Sequence, residues 1–325
     1  MRRQEQGAKP EGSGDEQRPA VREVGLALLY LGLGLVSGLV WARLANLGEL
    51  PKWHLDMILG RAPAPNQYRP LTPWLAQVVI YALPSHNLFT AYMLVRSVVT
   101  GVTLYLFHRY MRVWFSPGAA AAGALCLAAI LPFTYLHVVQ ESDPINLLAF
   151  VLAFWALARG RDLLLLPLVL VGTLNRETTA MIPAVYLFAR LGRRPIAEVA
   201  WKTAALAAAW AAVYLSMVWV LYGRREYYCD VVMWRLNVES WAPTAQVLLL
   251  FGVMWVLAFA AARRGPLLLR RTLWLLPPFV ILHYVVAMVR EVRLLLPFAP
   301  VVIPLAWWVL LPEMSARGGE KERRR

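Results

Sequence analysis

Apolar residues in this chain come in long runs that do not alternate with polar ones. The runs fall at about 24–46, 88–108, 119–136, 145–159, 163–174, 177–190, 199–222, 244–262, 273–289 and 294–312. A helix needs roughly 20 residues to cross a bilayer. Spanning backbone must satisfy its own hydrogen bonds, which leaves helices or a closed barrel. Barrel strands would alternate in polarity, so the pattern predicts an all-α, polytopic integral membrane protein with about 8 full spans. Two runs, 163–174 and 177–190, are too short to cross singly. Arg159 and Arg161 precede the pair and Arg190, Arg193 and Arg194 follow it. The pair therefore predicts a half-length helical hairpin over 163–190, with both ends on one side and Asn175-Arg176-Glu177 at its tip. Irregular polar backbone at membrane depth needs a cavity or protein cover. Pro70–Leu83, with Trp74 and Tyr81, predicts an interfacial helix over 70–83.

Composition sharpens this picture. Hydrophobic residues make up 59% of the 325, against about 45–50% in soluble chains. Residues 1–22 carry little to bury and predict a disordered cytoplasmic tail. Residues 23–313 form the transmembrane domain, with the first run retained as an anchor, and 314–325 form a basic cytoplasmic tail. A net charge of +14 raises nucleic acid as a partner, but the charge follows topology instead. With the N-terminus in the cytoplasm, about two thirds of the Lys and Arg residues fall on cytoplasmic segments, while acidic residues split evenly. The opposite orientation inverts this bias. The expected location is the plasma (inner) membrane, multi-pass, with both termini cytoplasmic and no nucleic-acid partner. Cys126 lies in an apolar run and Cys229 in a polar loop, which argues against a disulfide and against a zinc site. The five histidines form no ligand cluster and read as packing or interface residues.

This orientation gathers charges of both signs on the non-cytoplasmic face. They are Asp56 and Arg69 in the first loop, Glu141 and Asp143 in the second, Asn175, Arg176 and Glu177 at the hairpin tip, and Arg290, Glu291 and Arg293 before the last run. Arg96 enters the second run from the same side. Ionisable residues at membrane depth are costly and point to function. Each also has a plainer explanation: a solvated loop carboxylate at Asp56, a helix cap near Glu141-Ser142-Asp143, interfacial headgroup contact at Arg69, a snorkelling or buried structural arginine at Arg96, interfacial anchoring at Arg290 and Arg293, and an internal ion pair at the tip. Phosphate binding is the functional reading of Arg176, Arg290 and Arg293. Glu141 and Asp143 offer hard oxygen ligands, which leaves Mg²⁺ or Mn²⁺ open as a cofactor. Nucleotide-binding loops and Ser–His pairs are absent from the sequence.

Several segments taken together resemble the GT-C superfamily of polyprenyl-phosphate-sugar-dependent glycosyltransferases. Asp56 stands where members carry an acidic residue in the first external loop. Val95-Arg96-Ser97-Val98-Val99-Thr100-Gly101 is similar to their second long span. Gly172-Thr173-Leu174-Asn175-Arg176-Glu177 resembles the hairpin turn of the aminoarabinose and protein-mannosyl branches, with Arg-Glu where those carry Lys-Gly. Arg293-Leu294-Leu295-Leu296-Pro297-Phe298-Ala299-Pro300 resembles their Arg-Tyr-Leu-Leu-Pro-x-x-Pro, and Glu141-Ser142-Asp143 their second-loop acidic pair. The resemblance implies inverting transfer of a sugar from a polyprenyl-phosphate donor to an unidentified acceptor on the non-cytoplasmic face, within the lipid bilayer. It implies Asp56 as the general base and Arg69, Arg96, Asn175, Arg176, Glu177, Arg290 and Arg293 as substrate-binding residues. The competing expectations are a non-catalytic subunit that holds a lipid-linked sugar, and a transporter or flippase. An arginine-heavy, lysine-poor basic set points to a GC-rich bacterial genome and a cell-envelope role.

Overall fold

A computed structural model describes residues 17–135, 141–227, 232–289 and 291–312. These residues are helical, with no strand among them beyond two isolated bridges, Ala64 with Tyr227 and Leu191 with Arg194. In chain order the α-helices are α1 (Gln17–Leu44), α2 (Leu50–Ile58), α3 (Leu71–Ala82), α4 (Leu88–Met111), α5 (Pro117–Ile130), α6 (Asp143–Ala158), α7 (Leu165–Asn175), α8 (Met181–Arg190), α9 (Ile196–Ser216), α10 (Trp234–Val238), α11 (Ala242–Phe251), α12 (Met254–Ala260), α13 (Leu267–Leu273), α14 (Leu276–Val286) and α15 (Ala299–Leu310). Helix α1 starts at Gln17, so the end of the expected 1–22 tail is helical. The basic tail at 314–325 lies outside the described residues.

Among the described residues five helical stretches are long and apolar enough to cross a membrane: Glu23–Leu44, Leu88–Met111, Pro117–Thr134, Ile196–Leu221 and Val292–Leu310. Six result if a bent pair, Ala242–Phe251 with Met254–Arg263, is one span. The run 244–262 is thus not one straight helix. Gly252 sits at φ +50° between its halves, a conformation that glycine adopts without steric cost, and the halves meet at 65°. The run 273–289 is shortened too. A turn at Trp274–Leu275 separates α13 from α14, whose first turn holds Pro277 and Pro278. Proline fits a first turn because its missing N–H would have no helical partner there.

Backbone contact organises the core. A Cβ added to Gly34 of α1 would stand 2.2 Å from the Ser97 carbonyl oxygen of α4, and one on Gly101 would stand 2.9 Å from Leu31 Cα. Gly34 and Gly38 on α1 face Ser97 and Gly101 on α4, so small residues four apart on both helices let the backbones touch. That is how helices gain packing energy where lipid supplies no hydrophobic drive. Helix α4 also packs against α5 and α6, and Tyr110 Oη donates to the Pro300 carbonyl at 2.6 Å, which ties it to α15. Trp307 Nε1 donates to the Ala119 carbonyl at 3.1 Å and links α15 to α5. The Val292–Leu310 stretch is 83% buried by protein and Ile196–Leu221 only 11%. The last stretch is therefore central, and α9 lies at the periphery.

Residues 163–190, expected as a half-length hairpin, form two helices joined by a turn at Arg176. Helix α7 ends at Asn175, Arg176 is extended (φ −163°, ψ 137°), and a 3-10 turn over Glu177–Ala180 starts the return into α8. Its base is closed by Arg190, whose Nε donates to Asp162 at 3.1 Å and whose Nη2 donates to the Leu157 carbonyl at 3.0 Å. Helix α3, expected at the interface over 70–83, forms at Leu71–Ala82. It buries Thr72, Pro73 and Ala76 and exposes Trp74, Val78 and Tyr81.

Candidate functional site

The site forms where the N-termini of α6 and α8 and the C-terminus of α7 meet the turn over Val292–Phe298 that leads into α15. The break at Arg176 is what brings charge to this place. Thr173 Oγ1 and Thr179 Oγ1 lie 3.1 Å apart across the turn, and Thr179 Oγ1 donates to the Arg176 carbonyl at 2.9 Å. Asn175 secures the tip from outside. Its Nδ2 donates to the Ser142 carbonyl at 2.8 Å, and its Oδ1 accepts from Thr72 Oγ1 at 2.8 Å. Thr178 Oγ1 donates to Asn146 at 3.0 Å and Trp210 Nε1 to the Glu177 carbonyl at 3.1 Å. The tip is thereby joined to α3, α6 and α9.

Four arginines converge here. Arg69, from the loop before α3, grips the Glu177 carboxylate with two parallel bonds, Nε to Oε2 at 2.8 Å and Nη2 to Oε1. Arg176 donates to Asp143, the first residue of α6. Arg293 lies 3.7 Å from the other Asp143 oxygen and donates to Glu291. The side chains of Arg176, Arg293 and Asp143 are only 3–4% exposed. Arg96, one face of α4, has its guanidinium 4.9 Å from the Trp41 ring centre and 4.6 Å from that of Tyr135. A crevice runs between Arg96 and Asp143, lined also by Thr100, Thr103, Thr134 and Tyr135. It has room for about one water molecule, so the site is closed to anything as large as a sugar.

Buried polar atoms of the cluster are left without partners on both sides, and Asp143 Oδ2 has no donor within hydrogen-bond distance among the described residues. Among the described residues, Arg176 Nε and Arg293 Nε and Nη1 are buried with no hydrogen-bond acceptor. Unsatisfied buried donors on charged groups are costly, and a phosphate's oxygens are well matched to guanidinium forks. Glu141 is the reverse case. It is 7% exposed, and among the described residues its carboxyl group has no ion pair, only its own backbone amide as a hydrogen-bond donor. Burial pushes it up to about 7 against the hydrogen bond from its own amide, with Asp143 adding to the rise and Arg69 and Arg293 opposing it.

The sequence-predicted residues divide clearly. Arg69, Asn175, Arg176, Glu177, Arg293, Glu141 and Asp143 come together, with Arg96 across the crevice. Asp56 does not join them by any bond. It pairs with Lys52 at 2.7 Å, one turn away on α2. Arg290 lies outside the described residues, as does Cys229. The expectation of Mg²⁺ or Mn²⁺ on Glu141 and Asp143 does not fit. Asp143 already faces two arginines, a setting that repels a divalent cation, and among the described residues no group of three or more His, Cys, Asp and Glu could hold a metal ion. Thr72, Asn146 and Trp210 are the supporting residues that sequence reasoning missed. Thr72 stood in a Pro-Leu-Thr-Pro start to an apolar helix, a weak signal, and Trp210 gave none. His54, read as packing, is buried and hydrogen-bonded through both ring nitrogens, to Tyr92 at 2.9 Å and Gln77 at 2.8 Å. No family model, curated protein or solved structure matches this chain.

Proposed function

We propose that this chain is an integral membrane glycosyltransferase that moves a sugar from a polyprenyl-phosphate donor to an acceptor on the non-cytoplasmic face of the plasma membrane. The observation that carries this reading is the set of buried arginine donors without acceptors at the interrupted hairpin. They suit the one part of such a donor that carries charge, its phosphate. As the glycosidic bond breaks, the leaving phosphate gains negative charge, and in this reading Arg176 and Arg293 stabilise it. Arg69 holds Glu177 and so fixes the tip. The bilayer takes the polyprenyl tail. In this reading α6, the bent α11–α12 pair and the 273–289 segment cross along with the five long helices, which gives the eight spans, and both termini lie in the cytoplasm. The closed crevice must widen to admit the sugar.

The test is donor consumption. Protein purified in detergent is given a panel of radiolabelled polyprenyl-phosphate sugars, and released polyprenyl phosphate is measured for wild type and Arg293→Gln. Release by wild type, reduced by about 10²-fold or more in the variant, supports the reading. Absence of release from every donor refutes it.

A second reading has its own support. The hairpin and the bent α11–α12 pair are both broken helices, and paired broken segments are how many transporters build a substrate site. Movement of a labelled polyprenyl-phosphate sugar across liposomes carrying the protein, without chemical change, would favour a flippase.

A further inference from the structure

Among the described residues four carboxylates belong to the cluster, and three of them have a cation. Glu177 has Arg69, Glu291 has Arg293, and Asp143 has Arg176 and Arg293. Glu141 alone has none among the described residues, although it is more than nine-tenths buried. Its place is nonetheless fixed. The next residue, Ser142, accepts from Asn175 through its carbonyl, and the one after, Asp143, is clamped by Arg176. Glu141 therefore sits at the hairpin tip, beside the donors that suit a phosphate. A paired carboxylate is a poor proton acceptor because its cation stabilises the charged form. A buried and unpaired one is a good acceptor.

We infer that Glu141 takes the proton from the attacking acceptor hydroxyl. This rests on the glycosyltransferase reading and assigns to the second loop the role that the resemblance gives to Asp56. In the step, the acceptor oxygen bonds to the anomeric carbon from the face opposite the phosphate. The carbon–oxygen bond to the phosphate breaks and its electron pair leaves on the polyprenyl phosphate. The hydroxyl proton passes to the Glu141 carboxylate and then to water. The charged groups that act on Glu141 are Asp143 of α6, Arg69 before α3 and Arg293 before α15. Tyr92 of α4 is close enough to feel its charge, and the Tyr92 hydroxyl is bonded in turn to His54 of α2. The midpoint near 7 leaves Glu141 substantially ionised at neutral pH, where a base is most effective.

The experiment pairs turnover with an infrared titration. Turnover of the radiolabelled donor panel is measured from pH 5 to 9 (about neutrality on either side) for wild type, Glu141→Gln and Glu141→Asp. Binding of polyprenyl phosphate alone checks that each variant keeps its site. The expected result is a wild-type rate that rises through about pH 7, an about 10²–10⁴-fold loss in Glu141→Gln with binding intact, and partial recovery with a shifted profile in Glu141→Asp. A protonated-carboxyl band that titrates near neutrality in wild type should vanish in Glu141→Gln. Turnover in Glu141→Gln within about threefold of wild type would overturn the inference while leaving the glycosyltransferase reading intact. No turnover by wild type would remove that reading, and this proton-transfer role with it, even if the infrared band still identified Glu141 as the exchangeable carboxyl.

Discussion

Asp143 is the shared partner of two buried arginines, and its removal makes a quantitative test of the site. In Asp143→Ala, Arg176 loses its one carboxylate hydrogen bond among the described residues, and Arg293 loses one of its two ion pairs there. All three side chains are 3–4% exposed, so water cannot take the place of the lost oxygens. Breaking a buried pair by removing one partner costs about 3–5 kcal/mol. Removing both partners is far less harmful, because no stranded charge remains. Asp143→Ala combined with Arg176→Met should therefore recover at least about 2 kcal/mol relative to the sum of the two single losses. The assay is equilibrium unfolding in detergent micelles for wild type, the two single variants and the double. A ligand arm sharpens it. A phosphate-bearing lipid that binds the stranded arginines would stabilise Asp143→Ala by about 2.7 kcal/mol at a hundred times its dissociation constant. A single-variant cost below about 1 kcal/mol, or strictly additive losses, would refute the claim that these charges are held together out of water.

Further outcomes follow from other contacts. Gly34→Leu or Gly101→Leu places atoms where backbone already stands and should cost about 3 kcal/mol or more, read as loss of folded monomer on size-exclusion chromatography. Gly25→Leu, with open space around it, should fold as wild type. Asn237→Ala strands the Tyr284 and Ala287 carbonyls and the Val289 amide, now bonded at 2.9, 2.6 and 3.0 Å, at about 1–3 kcal/mol each where water stays out; proteolysis of the segment before α15 should accelerate. The Glu141 carboxyl is raised from 4.5 to about 7, so its protonated form is favoured by folding. Its contribution is fully present below about pH 4.5 and lost as pH rises through about 7, on the order of 3 kcal/mol in all. Unfolding of Glu141→Gln between pH 5 and 8 should lack that dependence, and an unchanged profile would refute the assignment.

The hairpin was legible because two runs too short to cross were bracketed by arginines and parted by Asn175-Arg176-Glu177. Local signals of this kind survive folding. The break in the 244–262 run rested on one glycine in an apolar stretch, where glycine is tolerated in a straight helix as well, so hydropathy could not separate the two outcomes. The convergence of charged residues was also legible, since orientation alone put them on one face. Their pairing was not. Arg69 and Glu177 are joined across 108 positions, and Arg176 and Asp143 across 33. Composition says nothing about which arginine takes which acid. For the same reason Glu141 and Asp143 read as equivalent ligands, although one is clamped and the other is left without a cation.

The two broken helices are interrupted by different means. At Gly252 the backbone itself specifies the bend, and no binding event can straighten it without abandoning a conformation that the residue was chosen to permit. At Arg176 the backbone is ordinary extended chain, and side-chain ion pairs together with neutral hydrogen bonds keep the tip seated. A newly arrived anion competes for the guanidinium groups that hold Asp143 and Glu177, so it can release the tip from its neighbours. Ligand-driven motion should therefore concentrate in residues 165–190, with the elbow between α11 and α12 serving as fixed masonry against which the hairpin swings.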